Sequence, residues 1–278
     1  MNPTQLKKIL NPRVANEMQQ ICKPLLYATP INSFQFLRLF NDGYRIHLST
    51  DPDWNELFFS KKLFHAAKLQ QDPTSYQSGS FIWDHWSRDC PSYIHCGKIA
   101  EDIFDHAHGL SIVQKNPSYT DIFDIAVSKK SSNTDEFYGA NIDLLQKFCQ
   151  YFLLTANKLI SESEQNKFSF QPTCNQNQYY SQQEIAKGLI IPDDFHITQK
   201  SDLYLKLTPR EKQILAWLFQ GKTLVEIAII LGISLRTLEK VMPRLKTKLD
   251  CQSLFQLGSK LTPIKHRLML EEWMRSLY

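Results

Sequence analysis

"LTPREKQILAWLFQGKTLVEIAIILGISLRTLEKVMPRLKTKL", residues 207–249, decides the reading of the C-terminal part of the chain. Thr208 stands three residues before Glu211, with Pro209 between them. That is a capping box with proline at the first helical position, where a missing N–H costs nothing. Ile214, Leu215 and Leu218 then form an apolar stripe, and Gly221 falls where a helix end needs a left-handed residue. Thr223 and Glu226 repeat the box for "LVEIAIIL", Gly232 closes it, and Ser234 opens a third helix. Three short helices with tight turns make a helix-turn-helix.

The third helix has two faces. Leu235, Leu238, Val241, Met242, Leu245 and Leu249 recur at threes and fours as an inward stripe, while Arg236, Lys240, Arg244 and Lys248 recur every fourth residue outside. Pro243 interrupts it, at a cost of ~3 kcal/mol and the bond to the Glu239 carbonyl. A kink or local opening near 239–243 is therefore expected. In this motif the second helix of the pair enters the major groove of double-stranded DNA, with its N-terminal residues on base edges. Arg236 is placed for bidentate readout of guanine. Lys240 and Arg244 read or position, and Lys222 and Lys248 suit phosphate. Thr223, Ser234 and the neighbouring Thr237 lie at helix N-termini, where hydroxyls and backbone N–H groups hold phosphate oxygens.

The charge follows the same division. Residues 203–278 hold 13 Lys/Arg against 6 Asp/Glu, a net of +7; the remainder holds 19 against 22, a net of −3. A basic end on a slightly acidic body suits a polyanion. No apolar run is long enough to span a bilayer or serve as a signal peptide, so no membrane partner and a cytoplasmic setting are expected. The six cysteines show no framework spacing and read as reduced core thiols.

Upstream, 4–26 has helical spacing, with Pro12 and Pro24 expected to bound its second helix. "SFQFLRLFNDGYRIHLS" carries an Asn41-Asp42-Gly43 turn between alternating apolar runs, a hairpin signal. Residues 53–69 return to helical spacing, "SFIWDHW" is a short strand, and "AEDIFDHA" a helix. "GLSIVQ" and "YTDIFDIAV" are strands, and 141–160 is an apolar helix. The expected fold class is an α+β sensory domain, an antiparallel sheet flanked by helices in an α-β-α sandwich, plus an all-α helix-turn-helix domain. The expected bounds are 1–165 for the sensory domain, 166–202 for a polar linker, and 203–278 for the helix-turn-helix domain with one extra helix at 263–277. That helix docks on the helix-turn-helix or on a second subunit, two alternatives the sequence leaves open. A phosphoacceptor domain is excluded, because its acidic pair and parallel βα units are missing. "DHAHG" (105–109) reads as a helix end stopped by Gly109. The bunching of His85, Cys90, His95, Cys96, His106 and His108 has no metal-ligand spacing, so no metal site is assigned.

Residues 207–251 resemble the LuxR-type helix-turn-helix, whose pattern is met by Leu207, Thr208, Arg210, Glu211, Gly221, Glu226, Ile227, Ala228, Leu231, Ile233, Ser234, Thr237, Lys248 and Leu249. Glu239 and Val241 depart from it, standing where relatives often carry a basic residue and a histidine. The N-terminal part is similar to the autoinducer-binding domain of LuxR-type quorum sensors: Trp54-x-x-x-Phe58, Asp72-Pro73, Trp83 and "HGLSIV" fall in the family's order. The resemblance implies that Asp72 accepts the ligand's amide N–H, that Trp83 donates to a lactone carbonyl, and that Trp54 and Phe58 line an acyl pocket. Phe58 lacks the hydroxyl of the family's Tyr. No cofactor and no catalytic residue are implied. The implied partners are double-stranded DNA, a second copy in a homodimer, and a small organic ligand such as an acyl-homoserine lactone. A ligand-independent or protein-binding N-terminal domain, and a metal- or redox-sensing one, are the alternatives.

Overall fold

The computed structural model describes residues 9–65, 76–85, 91–169 and 206–275. The order of elements is α1 (Pro12–Ala28), β1 (Ile31–Phe40), β2 (Tyr44–Ser49), α2 (Pro52–Ser60), β3 (Gly79–Ile82), α3 (Pro91–Phe104), β4 (Ala107–Lys115), β5 (Tyr119–Val127), α4 (Thr134–Thr155), α5 (Asn157–Glu164) and β6 (Phe168–Ser169). The helical domain follows as α6 (Pro209–Phe219), α7 (Leu224–Ile230), α8 (Leu235–Lys248), α9 (Leu254–Leu261) and α10 (Lys265–Arg275).

The strands form one antiparallel sheet in the order β3-β4-β5-β1-β2-β6. The expected hairpin is there, and Gly43 takes φ +84 in its turn, a conformation open to glycine without strain. One face carries Phe34, Phe36 and Phe123, which meet Phe148 and Phe152 of α4; the Phe34–Phe152 rings are 5.0 Å apart. Met18, Cys22 and Leu25 of α1 close that core. The opposite face is covered by α2 and α3, through Trp54, Phe58, Phe59, Cys96 and Ala100. Helices thus lie on both faces, as the α-β-α reading expects.

Several details differ from the sequence reading. The first helix runs through Pro24 to Ala28, and α8 runs unbroken through Pro243 with no opening at 239–243. Each proline frees the carbonyl four residues back, that of Gln20 or Glu239. Both residues are exposed, so water can take the lost bond. Leu235, expected inside, is 38% exposed. The helix before β4 begins at Pro91 and stops at Phe104 because Asp105 turns left-handed at φ +58. Gly109 therefore stops no helix. It lies in β4 under the Trp83 ring, which occupies the space a Cβ would need. Strand β6 extends the sheet to Ser169, taking in residues assigned above to the linker, whose remainder falls outside the described residues.

The C-terminal helix meets both domains. Ile264 and Leu268 belong to the helical core, whereas Met269 and Leu270 belong to the core of the sheet domain. Neither alternative left open by the sequence had named the sheet domain as its dock.

Candidate functional site

The helix-turn-helix is built by its caps. Thr208 and Thr223 each accept from the backbone N–H three residues on, and Glu211 and Glu226 return the bond to the cap N–H at 2.7 and 2.8 Å. Ser234 caps α8 through the Thr237 N–H. Gly221 at φ +78 and Gly232 at φ +62 make the two turns. Arg210 locks the second turn, donating to the Leu231 carbonyl at 2.6 Å and to Gln213 at 3.0 Å. It positions α7 against α6 and thereby the start of α8.

The eight residues assigned to DNA fall into two groups. Leu238, Met242 and Leu245 face the core, leaving Arg236, Lys240 and Arg244 exposed on the other side of α8. Among the described residues none of these three cations has an ion-pair partner. Lys222 and Lys248 are different, because each meets a capping-box carboxylate: Lys222 to Glu226 at 3.4 Å and Lys248 to Glu211 at 2.7 Å. The Thr223 backbone and side chain hold Glu226 below the usual carboxylate range. Burial opposes the same shift at Glu211, but Lys248 and the Thr208 backbone N–H outweigh it. The Thr223 hydroxyl bonds Glu226 at 2.9 Å, and those of Ser234 and Thr237 meet at 2.8 Å. The unpaired charge thus lies along α8, while the cap residues are engaged within the domain. The clustering of three free cations is legible in the four-residue spacing; the pairing of the other two depends on tertiary contacts.

In the sheet domain, Trp54 and Phe58 are buried against each other, with ring centroids 5.4 Å apart. Trp83 lies at the other end of that face and donates from Nε1 to Ser111 Oγ at 2.8 Å; Ser111 donates on to Asp124 at 2.5 Å. Asp72 lies outside the described residues. Trp54 Nε1 points to Gln35 Oε1 at 3.4 Å. The indole donors of both tryptophans are thus directed at protein oxygens. A ligand carbonyl would have to displace one of them.

Sequence reading missed the polar row on which they sit. Gln35, Asp124 and Ser111 are in register across β1, β5 and β4. His47 is buried beside them, 2.9 Å from Gln35 Oε1 and 2.8 Å from Asn55 Oδ1. Indole can only donate, so Gln35 presents its oxygen; His47 Nε2 then donates to it, and Asn55 must turn its NH2 toward bare Nδ1. Burial pushes His47 down to about 4 and the Asp124 carboxyl up to about 6. His106 and Ser33, also on this side, each keep a buried side-chain atom without a hydrogen-bond partner among the described residues. Three of the four clustered histidines each take a separate carboxylate: His85 with Asp135, His106 with Asp51, His108 with Asp84. Among the described residues no three such side chains converge on one point.

The family described as "Bacterial regulatory proteins, luxR family" matches residues 205–260. These residues are a LuxR-family helix-turn-helix domain. No curated protein matches the chain. Among solved structures, Escherichia coli SdiA in space group P6522 is 15% identical over 92% of this chain and 90% of that one, with TM-score 0.40. SdiA in complex with octanoyl-rac-glycerol is 14% identical over 94% and 92%, with TM-score 0.36. No described helix is long and apolar enough to cross a membrane.

Proposed function

We propose that the chain is a DNA-binding transcription regulator that acts as a homodimer and whose α+β domain responds to a small organic molecule. One observation carries the DNA-binding part: Arg236, Lys240 and Arg244 stand exposed on the second helix of the pair and, among the described residues, meet no carboxylate. Cations left without counterions on such a helix favour a polyanion, whose phosphates release condensed ions on contact. Arg236, on the first turn, is the base-reading candidate. Lys222 and Lys248 supply phosphate contacts by exchanging a glutamate for a phosphate oxygen.

The responsive role of the N-terminal domain is supported by its second face, where Trp54, Phe58 and Trp83 adjoin buried polar groups that lack a full set of partners. A mostly apolar surface with a few placed polar groups is how small ligands are held. Selection of a binding duplex from a random library, followed by fluorescence anisotropy, tests the first part. Arg236→Ala should weaken the selected duplex more than random DNA, and equal loss on both removes its readout role. Native mass spectrometry and thermal shift with N-acyl-homoserine lactones test the second. A chain that carries no small molecule and shifts with none of them would rule out the ligand-sensing reading.

A further inference from the structure

We propose that α10 is a coupling strut, a helix that makes the placement of the helix-turn-helix depend on the state of the sheet domain. Its residues divide into two stripes. Leu268 and Glu272, in line with Ile264 of the turn just before the helix, face the helical domain: Ile264 and Leu268 are buried in its core, and Glu272 accepts from Trp217 Nε1 at 3.2 Å and Gln213 Nε2 at 3.5 Å. His266, Arg267, Met269, Leu270 and Trp273 face the sheet domain. His266 Nδ1 donates to the Ala28 carbonyl at 2.8 Å, Trp273 packs on Tyr27 with centroids 5.4 Å apart, and Met269 and Leu270 are buried in the sheet domain's core. Arg267 forms a bidentate pair with Asp143 of α4, at 2.9 and 2.7 Å.

With two adjacent stripes on its eleven residues, α10 cannot leave either body without baring buried apolar side chains, Met269 and Leu270 on one side or Leu268 on the other. A displacement of α1 or α4 therefore moves the head with it. Helix α4 reaches the far corner of the sheet domain as well: the Tyr138 hydroxyl donates to the His108 carbonyl at 2.8 Å, and Asp135 pairs with His85 next to Trp83. A single rigid element thus runs from the Trp83 corner to the Arg267 pair, a contiguous route for coupling. The strut leaves Arg236, Lys240 and Arg244 exposed, so it sets where the reading helix points and does not mask it. This holds whatever molecule the sheet domain senses.

The test is Asp143→Arg in the full chain. Asp143 is 41% exposed on α4, so the substitution sets like charges against each other without opening a core. The wild type should unfold in one calorimetric transition, and the variant should split into two, with a larger radius of gyration by small-angle scattering. Its affinity for a short random-sequence duplex should change by less than about threefold, since the phosphate-binding cations are untouched. Should that variant fail to fold, Asp143→Ala is read for the same split. One transition and an unchanged radius in the folded variant overturn the proposal. So does a loss of DNA affinity of about tenfold or more, which would place the contact in the binding machinery.

Discussion

Replacing His47 with glutamine should remove an acid sensitivity that the structure assigns to this one side chain. His47 is buried between Gln35 and Asn55, stacked on Phe58 with centroids 5.5 Å apart, and burial lowers it to about 4 from an ordinary 6.5. The unfolded chain therefore takes up a proton at 47 well before the folded chain does. The stability contributed by the neutral ring is complete above pH 6.5 and drains away as pH falls toward 4. One pKa unit is worth 1.36 kcal/mol, so at pH 5, about 1.5 units below the unfolded value, the loss is about 2 kcal/mol. His108 works in the opposite sense, since its hydrogen bond to Asp84 raises it and steadies the fold in acid. The comparison must therefore be between variants. Urea unfolding of wild type and His47→Gln at pH 7.5 and 5.0 gives it. The wild type should lose about 2 kcal/mol more than the variant between the two pH values. Parallel pH profiles would refute the placement of a buried neutral imidazole at 47.

Two further outcomes follow from the described contacts. Gly109→Ala should cost about 1–3 kcal/mol in thermal or urea unfolding, because the new methyl group meets the Trp83 ring across β4. Trp83 fluorescence should shift with it, as the Nε1–Ser111 bond is lost. Lys240→Ala should lower the slope of log affinity against log salt by about 0.9 if that side chain neutralises one phosphate. An unchanged slope would put Lys240 off the backbone.

How much of this the sequence disclosed depends on where the information lies along the chain. The caps of α6, α7 and α8 were legible because each is a local exchange between residues three apart. The hairpin was legible because Gly43 answers a local need for positive φ. The polar row was not: Gln35, Asp124 and Ser111 come from three strands, and only the sheet register makes them neighbours. Gly109 was misread for the same reason. Its missing side chain serves a tryptophan 26 residues away rather than the end of the preceding helix. At α10 an extra helix was expected, but Leu268 and Glu272 form a stripe whose partner, α6, lies far off in sequence. Asp72 lies outside the described residues, and with it one of the four positions assigned to a ligand.

The two stripes of α10 also bear on how this head can be handled as a part. The segment that matches the family ends at residue 260, yet Leu261, Ile264 and Leu268 complete the helical core. A fragment cut at the family boundary would leave that core open on one side. A fragment carried to residue 275 would close it and instead bare Met269 and Leu270, an adhesive apolar flank. Neither cut yields a portable cassette. A chimera that grafts this head onto another sensor must bring surfaces equivalent to those of α1 and α4, or else a polar recoating of that flank.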